Sequence, residues 1–73
     1  MPPKAAPYRE VRRKLLAMGF IEVGQEGSHV KFARKVPKGM RTAIVPRHRE
    51  VASGTLRSIL RQAGVSIDEW ERM

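Results

Sequence analysis

The spacing of the apolar residues changes from a helical period to an alternating one and back again within 73 residues. Apolar side chains recur with helical spacing from Tyr8 to Met18, and Gly19 then ends the predicted helix. A second stretch with the same spacing follows Ser53 or Thr55, either of which can cap a helix, and it ends at Gly64. The order of predicted elements therefore begins and ends with a helix.

Three segments between these helices are rich in β-branched and aromatic residues, which predicts strands at residues 20–23, 29–35 and 41–45. The middle segment alternates, with Val30 and Phe32 on one side and polar residues on the other. Short turns join the segments, so the strands are expected to form an antiparallel meander. The sequence predicts an α+β fold of order α-β-β-β-α, in which two helices cover one face of a three-stranded antiparallel sheet.

The chain is long enough for one domain, which we place at residues 8–73. Residues 1–7 hold three prolines and are predicted to be a flexible leader. Near the other end, Ser66 and Glu69 have the spacing of a capping box, which predicts a last short helical turn. The apolar residues expected to form the core are Leu15, Leu16, Phe20, Phe32, Ile44, Leu56, Ile59 and Leu60.

The net charge of +8, from 15 Lys and Arg against 7 Asp and Glu, indicates a polyanionic partner such as nucleic acid, although it would also serve solubility alone. A membrane partner is not expected, because a membrane-surface helix carries Trp or Phe and the one Trp, Trp70, lies in an acidic tail. The absence of cysteine excludes disulfides and thiolate catalysis, and no signal peptide is visible. These features favour a cytoplasmic location.

Gly27-Ser28-His29 places a histidine where a tight turn becomes a strand, on the same face as Lys31 and Lys35. A histidine can transfer protons near neutral pH, and lysines can hold a phosphate. These groups suffice to cleave RNA without a metal ion, if a base takes the proton from a ribose 2′-OH and that oxygen attacks its own phosphate. On residue type alone, a lone histidine at the start of a strand is more often a hydrogen-bonding turn residue than a catalytic one.

His48 follows Arg47 and could be a second proton-transfer group, or an exposed loop residue that binds phosphate or caps the next helix. The histidines and carboxylates do not have metal-ligand spacing, so neither a metal nor another cofactor is expected. Two basic stripes at helical spacing could contact phosphate or simply be solvated. They consist of Arg57 with Arg61, and of Arg9, Arg12 and Arg13.

Four segments in this order resemble the HicA family, the toxin half of HicAB toxin–antitoxin systems. They are Gly19-Phe20, Gly27-Ser28-His29, Val45-Pro46-Arg47-His48 and the stretch from Gly54 to Gly64. The resemblance extends from about Tyr8 to Trp70. It implies a fold like that of double-stranded-RNA-binding domains, an mRNA-cleaving activity and a cognate HicB antitoxin. The family's catalytic histidine corresponds to His29. Arg49 departs from the glycine or small polar residue that the family often has there.

The leading interpretation is a type II endoribonuclease toxin that acts on mRNA through His29. The residues expected to bind RNA are Gly27, Ser28, Lys31, Lys35, Arg41, Arg47, His48, Arg57 and Arg61. The alternatives are a non-catalytic RNA-binding module of the same fold, and a subunit whose basic face mainly docks an acidic protein. The free chain is expected to be monomeric, because no exposed apolar helix face remains once the core is assigned.

Overall fold

The computed structural model describes residues 2–73. The chain begins with strand β1 (Ala6–Pro7) and helix α1 (Tyr8–Ala17). It continues through strands β2 (Ile21–Glu26), β3 (His29–Val36), β4 (Gly39–Pro46) and β5 (Glu50–Val51), and it ends with helices α2 (Ser53–Ala63) and α3 (Ile67–Glu71). The predicted α-β-β-β-α order and the three-stranded antiparallel sheet are confirmed. No helix within residues 2–73 is long and apolar enough to cross a membrane.

Strand β3 lies in the centre of the sheet, between β2 and β4. It pairs with β4 in one unbroken register, in which His29 lies opposite Pro46 and Lys31 opposite Ile44. Its pairing with β2 shifts by one residue between Glu22 and Gly24. Because side chains alternate along a strand, this register decides which residues of all three strands share a face.

One face of the sheet packs against α1 and α2, and the other face is open. The buried cluster that joins the packed face to these helices contains Val11, Leu15, Val30, Phe32, Ala43, Val45, Leu56, Ile59, Leu60 and Ala63. On the open face, the side chains of Ile21 and Met40 remain 60% and 57% exposed. A sheet packed in this way has one face buried in the core and one face exposed to solvent, where a partner can bind.

Two residues predicted to be in the core are exposed, which corrects the sequence analysis. Ile44 is 40% exposed because its position opposite Lys31 places it on the open face of the sheet. Leu16 is 37% exposed because it is one residue beyond the buried Leu15, and a step of one residue along a helix turns the side chain away from the core. The apolar character of Ile44 and Leu16 does not by itself show which face of β4 or of α1 each side chain occupies.

The C-terminal helix contributes a core residue that the sequence analysis placed only in the acidic tail. Trp70 is 2% exposed. The Nζ of Lys14 donates to its carbonyl oxygen at 3.0 Å and lies 5.0 Å from the centre of its ring. The capping box predicted for Ser66 and Glu69 is present and starts α3. Helix α3 therefore closes one end of the core.

Part of the predicted flexible leader, residues 1–7, packs against the domain, while Met1 lies outside the described residues. Pro3 is buried, and its carbonyl oxygen accepts a hydrogen bond from Ser53 Oγ at 2.5 Å. Ala6–Pro7 pairs with Glu50–Val51 in a second, two-stranded sheet. Because the Ser53 hydroxyl donates to Pro3, it does not cap α2, which begins after Ala52 without a side-chain cap.

Replacing Trp70 with Ala should lower the free energy of unfolding by about 3–5 kcal/mol, because it empties a large buried site. Urea unfolding followed by circular dichroism measures the change, since the variant lacks the chain's single Trp. Met73→Ala is the matched control in the same tail, because its side chain is exposed and its removal should change stability by less than about 0.5 kcal/mol. Equal unfolding midpoints for both variants would contradict the packing of α3.

Candidate functional site

A two-residue turn, Gly27-Ser28, joins β2 to β3 and fixes where His29 begins its strand. Gly27 has a φ of +58°, and no non-glycine residue in the described chain has a positive φ, which matches a type II′ hairpin turn. The turn is held from both sides. Gln25 Nε2 donates to the carbonyl oxygen of Gly27 at 3.0 Å, and the backbone N–H of Arg47 donates to that of Ser28 at 2.5 Å.

His29 is exposed and lines a groove of about 430 Å³ beside the open face of the sheet. We name this the histidine groove, and its other lining residues are Gly24, Gln25, Glu26, Lys31 and Ile44. Glu26 lies directly opposite His29 across the hairpin, and Lys31 follows His29 on the same face. An imidazole, an ammonium and a carboxylate thus share one accessible surface.

The histidine groove can exchange protons with solvent and attract an anion. No polar or charged residue within residues 2–73 is buried, so the imidazole of His29 is open to water. Lys31 supplies positive charge next to it, and the backbone at Gly24 has no side chain to fill the space opposite Lys31. Over the same residues, no three or more histidine and acidic side chains come close enough together to hold a metal ion.

Sequence analysis did not single out Gly24, Gln25 or Glu26. A usable signal was present for Glu26, because a two-residue turn makes the residues on either side of it a cross-strand pair. The positions of Gly24 and Gln25 depend on the register shift between Glu22 and Gly24 in β2. An isolated glycine in a strand is the one signal that could have indicated it.

Arg47 lines a second groove, of about 420 Å³, with Tyr8, Arg9, Arg12 and Glu22. We name this the arginine groove. The guanidinium of Arg47 lies 5.8 Å from the centre of the Tyr8 ring, and Arg12 Nε lies 2.6 Å from a carboxylate oxygen of Glu22. Burial raises the pKa of Tyr8 and Glu22 adds to this, while Arg47 and Arg12 act in the opposite direction. The phenol of Tyr8 is therefore uncharged at neutral pH.

A family model described as the HicA toxin of bacterial toxin-antitoxin matches residues 8–65, which include α1, the whole three-stranded sheet and α2. The chain belongs to the HicA toxin family. This match confirms the resemblance seen in the sequence. The chain is therefore the toxin of a toxin–antitoxin system, and its partner is an antitoxin. No curated protein matched the chain.

Two other basic residues of the toxin's sheet lie apart from the histidine groove. Lys35 shares the face of His29 but pairs with Met40 at the far end of β3, six residues and about 20 Å away. The side chain of Arg41 lies on the other face of β4, because side chains alternate along a strand. Its guanidinium contacts Gly64 so closely that a Cβ added to this glycine would lie 2.9 Å from Arg41 Nε.

The remaining candidates of the toxin are exposed and line neither groove. Arg57 and Arg61 lie on α2, whose buried side is formed by other residues. His48 lies in the connection between β4 and β5, close in sequence to the partner of His29. It does not cap the next helix, because α2 has no side-chain cap. The structure thus brings His29 and Lys31 together and leaves Arg57, Arg61 and His48 elsewhere on the surface.

Proposed function

We propose that this toxin is an endoribonuclease that cleaves mRNA in the cytoplasm without a metal ion, and that His29 is its catalytic residue. The observation that carries the proposal is an exposed imidazole that shares a groove with Lys31 on the open face of the sheet. The net charge of +8 supports a polyanionic substrate, and HicA toxins are in general ribonucleases.

In this reaction the neutral imidazole of His29 takes the proton from a ribose 2′-OH. The 2′ oxygen attacks the adjacent phosphorus, and the bond from phosphorus to the 5′ oxygen breaks. The products are a 2′,3′-cyclic phosphate and a 5′-OH, and the departing oxygen takes a proton from water in the open groove. Lys31 stabilises the negative charge that develops on the phosphate. Glu26, opposite His29, stabilises the imidazolium as it forms.

The other candidate residues bind RNA at increasing distances from the reacting phosphate. Gly27 and Ser28 form the turn beside the cleaved nucleotide, and Arg47 and His48 contact its neighbours. Lys35, about 20 Å along β3 from His29, contacts a nucleotide further along the open face. Three cations would contact only an RNA long enough to bend round the domain. They are Arg41, which lies on the other side of β4, and Arg57 and Arg61 on α2.

Replacing His29 with Ala should lower the cleavage rate about a hundredfold or more, because it removes the general base. The assay follows labelled single-stranded mRNA incubated with full-length toxin in the presence of EDTA. His48→Ala is the matched control, and it should retain cleavage to within about tenfold because His48 does not line the histidine groove. Both side chains are exposed, so neither substitution should change the thermal unfolding midpoint.

Two results would contradict this assignment in different ways. Full activity in His29→Ala would remove His29 from the mechanism. A wild-type protein that binds RNA but leaves it intact after long incubation would instead favour the non-catalytic RNA-binding module, whose affinity falls steeply as salt displaces its phosphate contacts.

The cognate antitoxin is proposed to be of the HicB type and to cover the open face of the sheet. This face combines exposed apolar side chains, Ile21, Met40 and Ile44, with the ammonium groups of Lys31 and Lys35. An acidic partner with an apolar centre would complement both features and would block the histidine groove. The toxin without its antitoxin is proposed to be a monomer.

Replacing Ile21 with Glu should weaken neutralisation by the antitoxin about tenfold or more, because it places a carboxylate within the apolar part of the interface. Cleavage should be unchanged, since Ile21 pairs with Ala33, about 13 Å along β3 from His29. The measurement is the antitoxin concentration that halves cleavage. Leu16→Glu, an exposed apolar position on α1, is the control and should resemble wild type. Equal neutralisation of both variants would exclude the open face as the docking surface.

A further inference from the structure

We propose that the arginine groove binds the phosphate and base of a nucleotide that flanks the cleaved one in single-stranded RNA. This subsite rests on the proposed ribonuclease function and extends it from one reacting nucleotide to a bound strand. It adds Tyr8, Arg9 and Arg12 to the RNA-binding surface. Three independent features of the groove support it: its charge, its aromatic ring and its place beside the Gly27-Ser28 turn.

The charge of the groove is suited to a phosphate. Arg9 and Arg12 lie one helical turn apart on α1, and Arg47 approaches from the connection that follows β4. Glu22 is the one acid among the lining residues, and it is paired with Arg12. Within residues 2–73 the ion pairs formed by arginine involve Arg12 and Arg13, so Arg9 and Arg47 have no carboxylate partner there.

The aromatic ring of the groove is suited to a base. Tyr8 is partly exposed, and the guanidinium plane of Arg47 lies within cation–π distance of its ring. Tyrosine rings and arginine planes are the groups on which unpaired bases stack in single-stranded RNA. Since the phenol is uncharged, the ring can stack on a base without repelling the adjacent phosphate.

The groove is adjacent to the proposed reaction centre through the backbone. Arg47 directly follows Pro46, the residue opposite His29, and its N–H donates to the carbonyl oxygen of Ser28. Arg47 thus links the arginine groove, which lies on the α1 side of the sheet, to the turn that precedes His29 on the open face. A strand whose scissile phosphate occupies the histidine groove can place a flanking nucleotide in the arginine groove by passing around this turn.

The test uses full-length toxin carrying His29→Ala, so that bound RNA is not consumed, and a labelled single-stranded RNA whose fluorescence anisotropy reports binding. Arg9→Gln should weaken binding and should reduce the slope of log affinity against log salt by about 0.7, the value for one lost phosphate contact on a single strand. Arg13→Gln is the matched control, because Arg13 lies on the same helix outside the groove, in an ion pair with Glu10. Its slope should not change.

A second pair of variants tests the ring. Tyr8→Leu should weaken binding about fivefold or more through the loss of stacking, while Tyr8→Phe should bind nearly as well as the parent protein. Tyr8 packs partly against the core, so the unfolding midpoint of each variant is measured as well. Arg9 is exposed and does not pack against the core, so Arg9→Gln still tests the proposed subsite if Tyr8→Leu is unstable.

The outcomes separate this subsite from the ribonuclease function. Equal RNA affinity and equal salt slopes for Arg9→Gln and Arg13→Gln would overturn the subsite even if the wild-type protein cleaves RNA, and would leave the groove for an acidic segment of the antitoxin. Weaker binding by Arg9→Gln, with RNA left intact by the wild type, would overturn the nuclease and support the groove only as part of a non-catalytic RNA-binding surface. No binding at low salt by the His29→Ala protein would overturn the subsite, while cleavage by the wild type would still support the nuclease.

Discussion

Packing on only one face of a three-stranded sheet is the constraint on which the rest of this toxin depends. Two helices cover the face that carries Val30 and Phe32, and the alternation of side chains then leaves His29 and Lys31 on the other face. The two-residue turn before His29 fixes this arrangement, because a slip of one residue would bury the histidine and expose the core. The hydrophobic core and the candidate site are therefore two consequences of one register.

The surface that results has its chemistry concentrated at one end of the sheet. The Gly27-Ser28 turn precedes His29, which lines the groove with the imidazole, and it accepts a backbone hydrogen bond from Arg47, which lines the groove with three guanidinium groups. Residues at the turn thus set the distance between a proposed proton acceptor and proposed phosphate ligands. A chain too small to enclose a deep pocket can still orient a flexible polyanion by holding it on both sides of a rigid hairpin.

Local signals predicted most of the fold, whereas features that depend on distant contacts were missed. The helix end at Gly64 and the capping box at Ser66 need only neighbouring residues, and both are present. The buried Trp70 contacts distant residues such as Lys14, 56 residues earlier, and the exposure of Ile44 depends on which face of β4 the helices cover. For the site, the shared face of His29 and Lys31 follows from alternation, but the arginine groove assembles residues from three separate parts of the chain.

If the open face of the sheet directs His29 at a ribose hydroxyl, a substrate in which one sugar lacks that hydroxyl must resist cleavage there. A single-stranded RNA is prepared with 2′-deoxyribose at one nucleotide after which the wild-type toxin normally cuts, and the ends of the products are identified by mass spectrometry. We expect cutting to stop at that nucleotide alone and every other cut to leave a 2′,3′-cyclic phosphate. Continued cutting after the deoxyribose, or products that carry 5′-phosphates, would contradict this expectation.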